Sequence, residues 1–537
     1  MANFVFISPY DQYTLGVRYL SSCLKKAGHK TRMIILKDVH SNRNPENLKV
    51  DSGYMGHNAA CSDHEYEIVR ELIKEFKADF IGISLASQCY GLAVWLSERF
   101  KKDFPECKLI WGGIDPTLHP ELGIPHCDFL IIGEGEDTLL ELVDKILSDN
   151  DPYHIEGVWA NKDREIIKNP VRPLIQDLDR LPFPDFDPKE KFLVQDNQFR
   201  PMEELYYIII TQRGCPYKCS YCANSSLPEL YPKQKYNRRR SVKNVMDELN
   251  WIKGLYPDLR FVQFYDDIFT INKKWIREFA PRYRDEIGIP FWVYTYPGQC
   301  DEEIAGLLKD MGAEYVQVGI QSGSQRTLKE IYHRTDPVKV GVTARILNKA
   351  GLPVRFDLIA GNPLENDEDH LETLEVLLDL PHPFRLNPTN PLCFFFNSHI
   401  TRMIKEKGLP LKEMEGVNGY IAGGETHYKF WRTIFDLTQY PFLDDDFIRS
   451  LARNEYFKEH YQILENFQDA FMESYWPDIW EYTPCIDIIN NLNKENSTLE
   501  SEIEYLKTSL KNIEDKPLYK FYQKIKPFLP RKKMQSK

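Results

Sequence analysis

The sequence contains no uninterrupted apolar run of about 18 residues, the length a membrane-spanning helix needs, so no transmembrane segment is expected. Its first residues, MANFVFISPYDQY, lack both the basic and the long apolar stretch of a signal peptide. They read as a first strand, and a cytoplasmic location is expected. Positive charge is also short: 68 Lys and Arg stand against 80 Asp and Glu, a net charge of −12. That balance excludes a broad nucleic-acid footprint. Cysteine is scattered, with 11 in 537 residues and no export signal, which points to a reducing compartment where thiols stay free or bind metal. Nor does the chain show a Ser–His or His–carboxylate constellation for hydrolytic chemistry.

A chain of 537 residues predicts several domains, because single cores stop growing near ~300 residues. In residues 1–150 the runs NFVFISP, TRMIILK, DFIGISL, KLIWGG and DFLIIGEGE read as buried strands. Segments such as LGVRYLSSCLKKAG and YGLAVWLSERFKKDF between them have apolar residues at helical spacing. Such alternation predicts an α/β, doubly wound parallel sheet of Rossmann type, with ligands at the carboxyl ends of its strands. Those ends hold Ser84, Gly112, Gly113, Gly133, Glu134 and Gly135. Glycine there either lets a bulky ligand approach the backbone or makes a tight turn.

Residues 151–200 are rich in proline and acids and predict an extended linker. From about 201 to 390 the strands YYIIITQ, RFVQFYDD, FWVYTYP, YVQVGIQSG and VRFDLIAG recur between helical segments. Repeated βα units of one direction predict a partial (β/α)6 barrel with its site at the strand C-termini. Residues 391–484 read as helical and aromatic, packing on the barrel, with no recognisable chemistry of their own. Within 485–537, Leu492, Leu499, Leu506 and Ile513 recur every seven residues, with Ile489, Asn496, Ile503 and Leu510 as the second series. Two readings stand: a coiled coil pairing two copies through 489–513, or an amphipathic helix on its own protein. The basic end, KPLYKFYQKIKPFLPRKKMQSK, reads as a solubilising tail or as a peripheral contact with an anionic membrane.

Four cysteines, Cys23, Cys89, Cys107 and Cys393, suit burial as small apolar residues. The stretch GCPYKCSYC, residues 214–222, does not. Its Cys215, Cys219 and Cys222 are one too few for a closed zinc site, and no second C-x2-C lies elsewhere. A 4Fe–4S cluster takes four cysteines; held by three, it keeps one iron open to another ligand.

Here the chain resembles the radical S-adenosylmethionine (SAM) superfamily, whose signature is C-x3-C-x2-C after the first barrel strand. The resemblance implies that Cys215, Cys219 and Cys222 hold the cluster and that SAM chelates the open iron. Electron transfer then cleaves SAM to methionine and a 5′-deoxyadenosyl radical, with an external donor of flavodoxin or ferredoxin type. Further stretches match in order: Tyr221 beside the last cysteine, Asp266 in YDD toward the SAM amino group, and Gln321 in GIQSGS toward a ribose hydroxyl. Arg334 matches a position that pairs with the SAM carboxylate, and Gly361 in LIAGNP a loop beside the adenine.

The upstream domain resembles the cobalamin-binding domain fused to many such enzymes, through SPYDQYTLGVRYL, IWGGIDPTLHPE and IIGEGE. This implies that Leu15, Gly16, Ser84, Gly112, Gly113 and the Gly133-Glu134-Gly135 loop surround cobalamin. One departure stands out. Where many relatives have Asp-x-His-x-x-Gly, this chain has Asp11-Gln12-Tyr13-Thr14-Leu15-Gly16, so no lower histidine ligand to cobalt is expected. The expected activity is a cobalamin-dependent radical SAM methyltransferase acting on an unactivated carbon of a small molecule. Alternatives are a cyclisation, rearrangement or oxidation with the same cofactors, or an iron–sulfur protein that does not cleave SAM.

Overall fold

A computed structural model describes residues 1–11, 13–37, 61–202, 206–334, 336–387, 389–396, 398–414, 417, 419–422 and 425–475. The heptads at 489–513, the basic tail and Gln12 lie outside the described residues.

Five parallel strands form where the apolar runs predict them: β1 (Asn3–Pro9), β2 (Lys30–Leu36), β3 (Phe80–Ser84), β4 (Lys108–Gly112) and β5 (Phe129–Ile131). Their spatial order is β5-β4-β3-β1-β2, so the winding reverses between β1 and β3, where a crevice opens at the strand ends. Alternation along each strand sorts its residues between two cores. Val5, Ile7, Ile81, Ile83, Leu109 and Trp111 share one. Phe4, Phe6, Met33, Phe80, Ile110 and Ile131 share the other.

Residues 151–200 differ from a simple linker. Strands β6 (Val158–Lys162) and β7 (Glu165–Lys168) extend the sheet beyond β5, and β8 (Lys191–Gln195) and β9 (Gln198–Pro201) extend it beyond β2. Nine strands therefore make this sheet among the described residues. Apart from Pro152, the prolines lie between 170 and 188, with one more at β9's end. The apolar flanks beside them cover two open sheet edges, which would otherwise expose unpaired backbone groups.

The second sheet runs through six parallel strands in chain order, Tyr206–Ile209, Phe261–Phe264, Phe291–Thr295, Ala313–Gln321, Val354–Ala360 and Phe384–Leu386, and a short seventh, Asn390–Pro391, pairs parallel with Val354–Ala360. This is the expected partial barrel, completed by a sixth strand too short to read as an apolar run. Several of its helices start on side-chain caps. Ser241 accepts from the Asn244 N–H before Val242–Leu255, and Asp301 accepts from the Ile304 N–H before Glu302–Asp310.

Beyond the barrel, Cys393–Phe395, Leu411–Glu413 and Gly419–Ala422 pair as a small antiparallel sheet, with the helix His399–Glu406 between its first two strands and Glu425–Leu437 following the last. Phe430, Trp431, Ile434 and Phe435 of that helix bury into the barrel's outer core. The ten described cysteines are free, with Cys23 and Cys89 buried and Cys107 and Cys393 half-buried. Among the described residues no helix is long and apolar enough to cross a membrane.

Candidate active site between the two sheets

The cysteine loop leaves the first barrel strand through a short antiparallel ribbon, Gln212–Arg213 with Arg238–Arg239. Gly214 follows at φ 90°, and a Cβ there would lie 2.7 Å from the Tyr236 carbonyl oxygen, so only glycine starts this turn without strain. The loop is pinned on both sides of Cys219. The Ser220 N–H and Oγ donate to the Tyr332 and Ile331 carbonyls at 3.1 and 2.6 Å. The Tyr217 ring stacks on Tyr296 with centroids 3.8 Å apart. Cys219 is buried, while Cys215 and Cys222 are half-buried. Burial pushes the Cys215 thiol up to about 12 and the Cys222 thiol up to about 11. Among the described residues no three Cys, His, Asp or Glu side chains gather as a set for a metal ion. A cube of four irons spreads its thiolates wider than one ion does, so three separate thiols on one pinned loop fit a cluster.

Arg334 supplies the positive charge here. Its Nη1 lies 3.4 Å from Cys219 Sγ and donates to the Tyr221 hydroxyl at 2.8 Å, its Nη2 donates to the Gly319 carbonyl at 2.6 Å, and its guanidinium sits 4.4 Å over the Tyr296 ring. None of these partners is a carboxylate. The guanidinium therefore fits an anionic group such as a thiolate-bound cluster or an amino-acid carboxylate. Gln321 ends the fourth barrel strand at φ 72°, a left-handed conformation costly for a residue with a side chain.

One cavity of about 790 Å³ reaches both sheets. Leu15, Gly16, Ser84, Gly112, Gly113, Gly133, Glu134, Gly135, Asp266, Gln321 and Arg334 line it, while the three cysteines, Tyr221 and Gly361 stand outside the lining. Tyr221 is reached through Arg334. Gly361 is turned elsewhere, for a Cβ on it would meet the Tyr428 ring at 3.4 Å.

Asp266 differs from its expected role. Its oxygens accept from the Thr211 N–H, the Thr211 hydroxyl and the Gln212 N–H at 2.6–2.8 Å, and the side chain is buried. It ties the first strand's end to the second. The neighbouring Asp267 also lines the cavity, accepts from Asn224 Nδ2 at 3.0 Å, and is pushed up to about 6 by burial and the adjacent Asp266 charge. A second cavity carboxyl absent from the sequence reading is Asp357, held by the Gln317 and Asn387 amides at 2.7 and 2.6 Å and raised by burial. Its position in the strand VRFDLIA, an acid among buried residues, was the available signal.

The N-terminal wall is built by small residues. A Cβ on Gly112 would find nothing closer than 3.9 Å, and one on Gly16 nothing within 4 Å. The lining continues as an apolar slot between the sheet (Phe4, Phe6, Gly82) and the flanking helices (Val17, Leu20, Leu139). A cavity of this volume with an apolar stretch in its lining fits a large, mostly apolar ring system. Two other glycines serve the protein instead. A Cβ on Gly113 would lie 2.7 Å from the Leu85 carbonyl, and one on Gly133 would lie 2.2 Å from the Tyr231 hydroxyl. Tyr13, in the histidine place, packs against the barrel-side core, and its N–H donates to Asp11 Oδ1 at 3.0 Å.

Glu134 turns its carboxylate to the barrel. It pairs with Arg213 at 2.9 Å and Arg238 at 2.8 Å, and accepts from the Ile175 N–H at 2.7 Å. Glu136 pairs with Arg213 at 2.5 Å. Burial alone would raise the Glu134 carboxyl, but Arg238 and Arg213 outweigh it and hold it below the usual carboxylate range. Nearby, Arg240 bonds the Tyr19 hydroxyl at 3.4 Å and Glu248 at 2.5 Å. The run Arg238-Arg239-Arg240, in an acidic chain just past the cysteines, was a signal the sequence reading missed.

Residues 209–377 match the Radical SAM superfamily model and residues 5–143 the B12 binding domain model. The chain is a radical SAM enzyme. Within that superfamily it is one with an N-terminal cobalamin-binding domain, so its cofactors are a 4Fe–4S cluster, SAM and cobalamin. An uncharacterised methyltransferase of Pyrococcus horikoshii is 28% identical over 321 residues, 59% of this chain and 67% of the relative. The anaerobic magnesium-protoporphyrin IX monomethyl ester cyclase of Rubrivivax gelatinosus is 27% identical over 329 residues, 59% and 56% of the two chains. The solved structure of the cobalamin-dependent radical SAM enzyme OxsB with aqua-cobalamin and SAM superposes at TM-score 0.62 and 15% identity, covering 99% of this chain and 82% of that one.

Proposed function

We propose that this chain methylates an unactivated carbon of a small-molecule substrate. The observation that supports this most directly is the shared cavity, whose walls come from the strand ends of both sheets. When bound, the cluster supplies the electron that splits SAM and the cobalamin supplies the methyl group. Cys215, Cys219 and Cys222 hold the cluster; Arg334 takes the SAM carboxylate, and Asp267, beside the cysteine loop, takes its amino group. Gln321 and Asp357 accept from ribose hydroxyls. The apolar wall of Leu15, Gly16, Ser84 and Gly112 seats the corrin without a histidine below it. An external one-electron donor of flavodoxin or ferredoxin type completes the reading.

Similarity to the Pyrococcus methyltransferase supports methyl transfer, and similarity to the Rubrivivax cyclase supports ring formation as a second reading. Incubation with candidate small molecules, SAM, cobalamin and a reductant, followed by mass spectrometry, separates them. Methylation gives a product heavier by one CH2 unit with S-adenosylhomocysteine beside it. A turnover that yields deoxyadenosine and a product of unchanged carbon count sinks methylation.

A further inference from the structure

The ribbon at the root of the cysteine loop sets Arg213 directly opposite Arg238. Like charges facing each other across two strands repel and destabilise the pairing. Both guanidiniums are largely withdrawn from water, with side-chain exposures of 22% and 3%, so solvent does little to screen them. What relieves the repulsion comes from the other domain. The two oxygens of Glu134 reach one arginine each, at 2.9 and 2.8 Å, and Glu136 adds a second contact to Arg213 at 2.5 Å. Two cations and two anions thus close a compact, neutral group.

The ends of this group are well placed. Arg213 is two residues before Cys215, and Glu134 stands between Gly133 and Gly135, both of which line the cavity. The Tyr231 hydroxyl occupies the space a Cβ on Gly133 would need, and the Arg238 guanidinium also donates to the Ile175 carbonyl at 2.7 Å. One carboxylate therefore fixes the loop of the cobalamin wall to the loop of the cluster.

We infer that Glu134 is a positioning residue that registers the cysteine loop against the cobalamin wall, so that seating a corrin in one domain tightens the loop in the other. The inference rests on the cofactor reading above. A carboxylate that only filled space would be replaced well by glutamine. One that bridges two facing arginines would not, because the neutral amide leaves their repulsion in place.

The test is hydrogen–deuterium exchange on the full chain, free of iron, with and without hydroxocobalamin. In the wild type, hydroxocobalamin should slow exchange of the amides in 212–222 by about tenfold, the size of an ordinary coupling between sites. In Glu134→Gln the protection around 133–136 should remain while that in 212–222 is lost. The double variant Glu134→Gln/Arg213→Gln removes one charge of each sign. It should recover wild-type thermal stability without recovering protection of 212–222, which separates positioning from folding. Equal protection of 212–222 in the wild type and Glu134→Gln overturns the inference, as does its absence in a wild type that binds the corrin, or its return in the double variant. A wild type that retains no hydroxocobalamin on gel filtration overturns the cofactor reading itself.

Discussion

The two walls of the cavity are made by opposite means. The barrel wall is polar and crowded: Asp266, Asp267, Gln321, Arg334 and Asp357 face it, and most have defined partners. The N-terminal wall is largely apolar and is opened by Gly16 and Gly112. One wall grips through charge and hydrogen bonds, the other through space that no side chain fills. Deleting groups should therefore damage the first, and adding groups should damage the second.

The largest effect is expected at the cysteines. Cys219→Ala should abolish the cluster, seen as loss of bound iron, and reduce 5′-deoxyadenosine to background while circular dichroism and cobalamin retention stay unchanged. Normal SAM cleavage by that variant breaks the assignment of the cysteine loop behind the polar wall. On the other wall, Gly112→Leu should fold normally, because the space beside Gly112 is open to 3.9 Å. Its side chain would occupy the corrin's place and weaken hydroxocobalamin binding roughly 30-fold, as an overpacking cost of about 2 kcal/mol implies. Tight binding in an optical titration would contradict a wall shaped by empty space.

Gly113→Ala sharpens the contrast, since its neighbour is protein. Its φ of 108° and the 2.7 Å approach to the Leu85 carbonyl should lower stability by about 1–3 kcal/mol with or without cofactor, read by chemical denaturation. Arg334→Gln removes a charge-assisted contact of about 1.5 kcal/mol and should weaken SAM binding about tenfold with iron content retained.

The smallest effect is on acid stability. The Glu134 carboxyl lies below its ordinary value of 4.5 in the folded chain. The stability it contributes is fully present above pH 4.5 and is lost as pH falls through the depressed value. Glu134→Gln should remove this component of acid unfolding and leave the alkaline limb unchanged.

What could be read in the sequence follows from how local each feature is. GCPYKCSYC packs three cysteines, a turn glycine and a stacking tyrosine into nine residues, and its position after a strand end was plain from the apolar run before it. The ten apolar runs became strands because each residue's neighbours in sequence already dictate period-two burial. The strands β6 to β9, added two at each end of the sheet, were hidden because strands near a sheet edge need only weak alternation, and proline nearby suggested none. Asp266 and Glu134 show a further limit. Their residue type and loop position fitted ligand contact, yet Thr211 and Arg213, far away in sequence, claim their oxygens. The same limit hid Asp357, whose partners Gln317 and Asn387 come from neighbouring parts of the barrel.

The most direct test of two cofactors meeting in one cavity is made on the full chain reconstituted anaerobically with iron, sulfide and hydroxocobalamin, then given dithionite and SAM. The expected result is a spectrum with both iron–sulfur and corrin absorption, and formation of 5′-deoxyadenosine. A chain that holds a full cluster but retains no corrin, or holds both and leaves SAM intact, contradicts it.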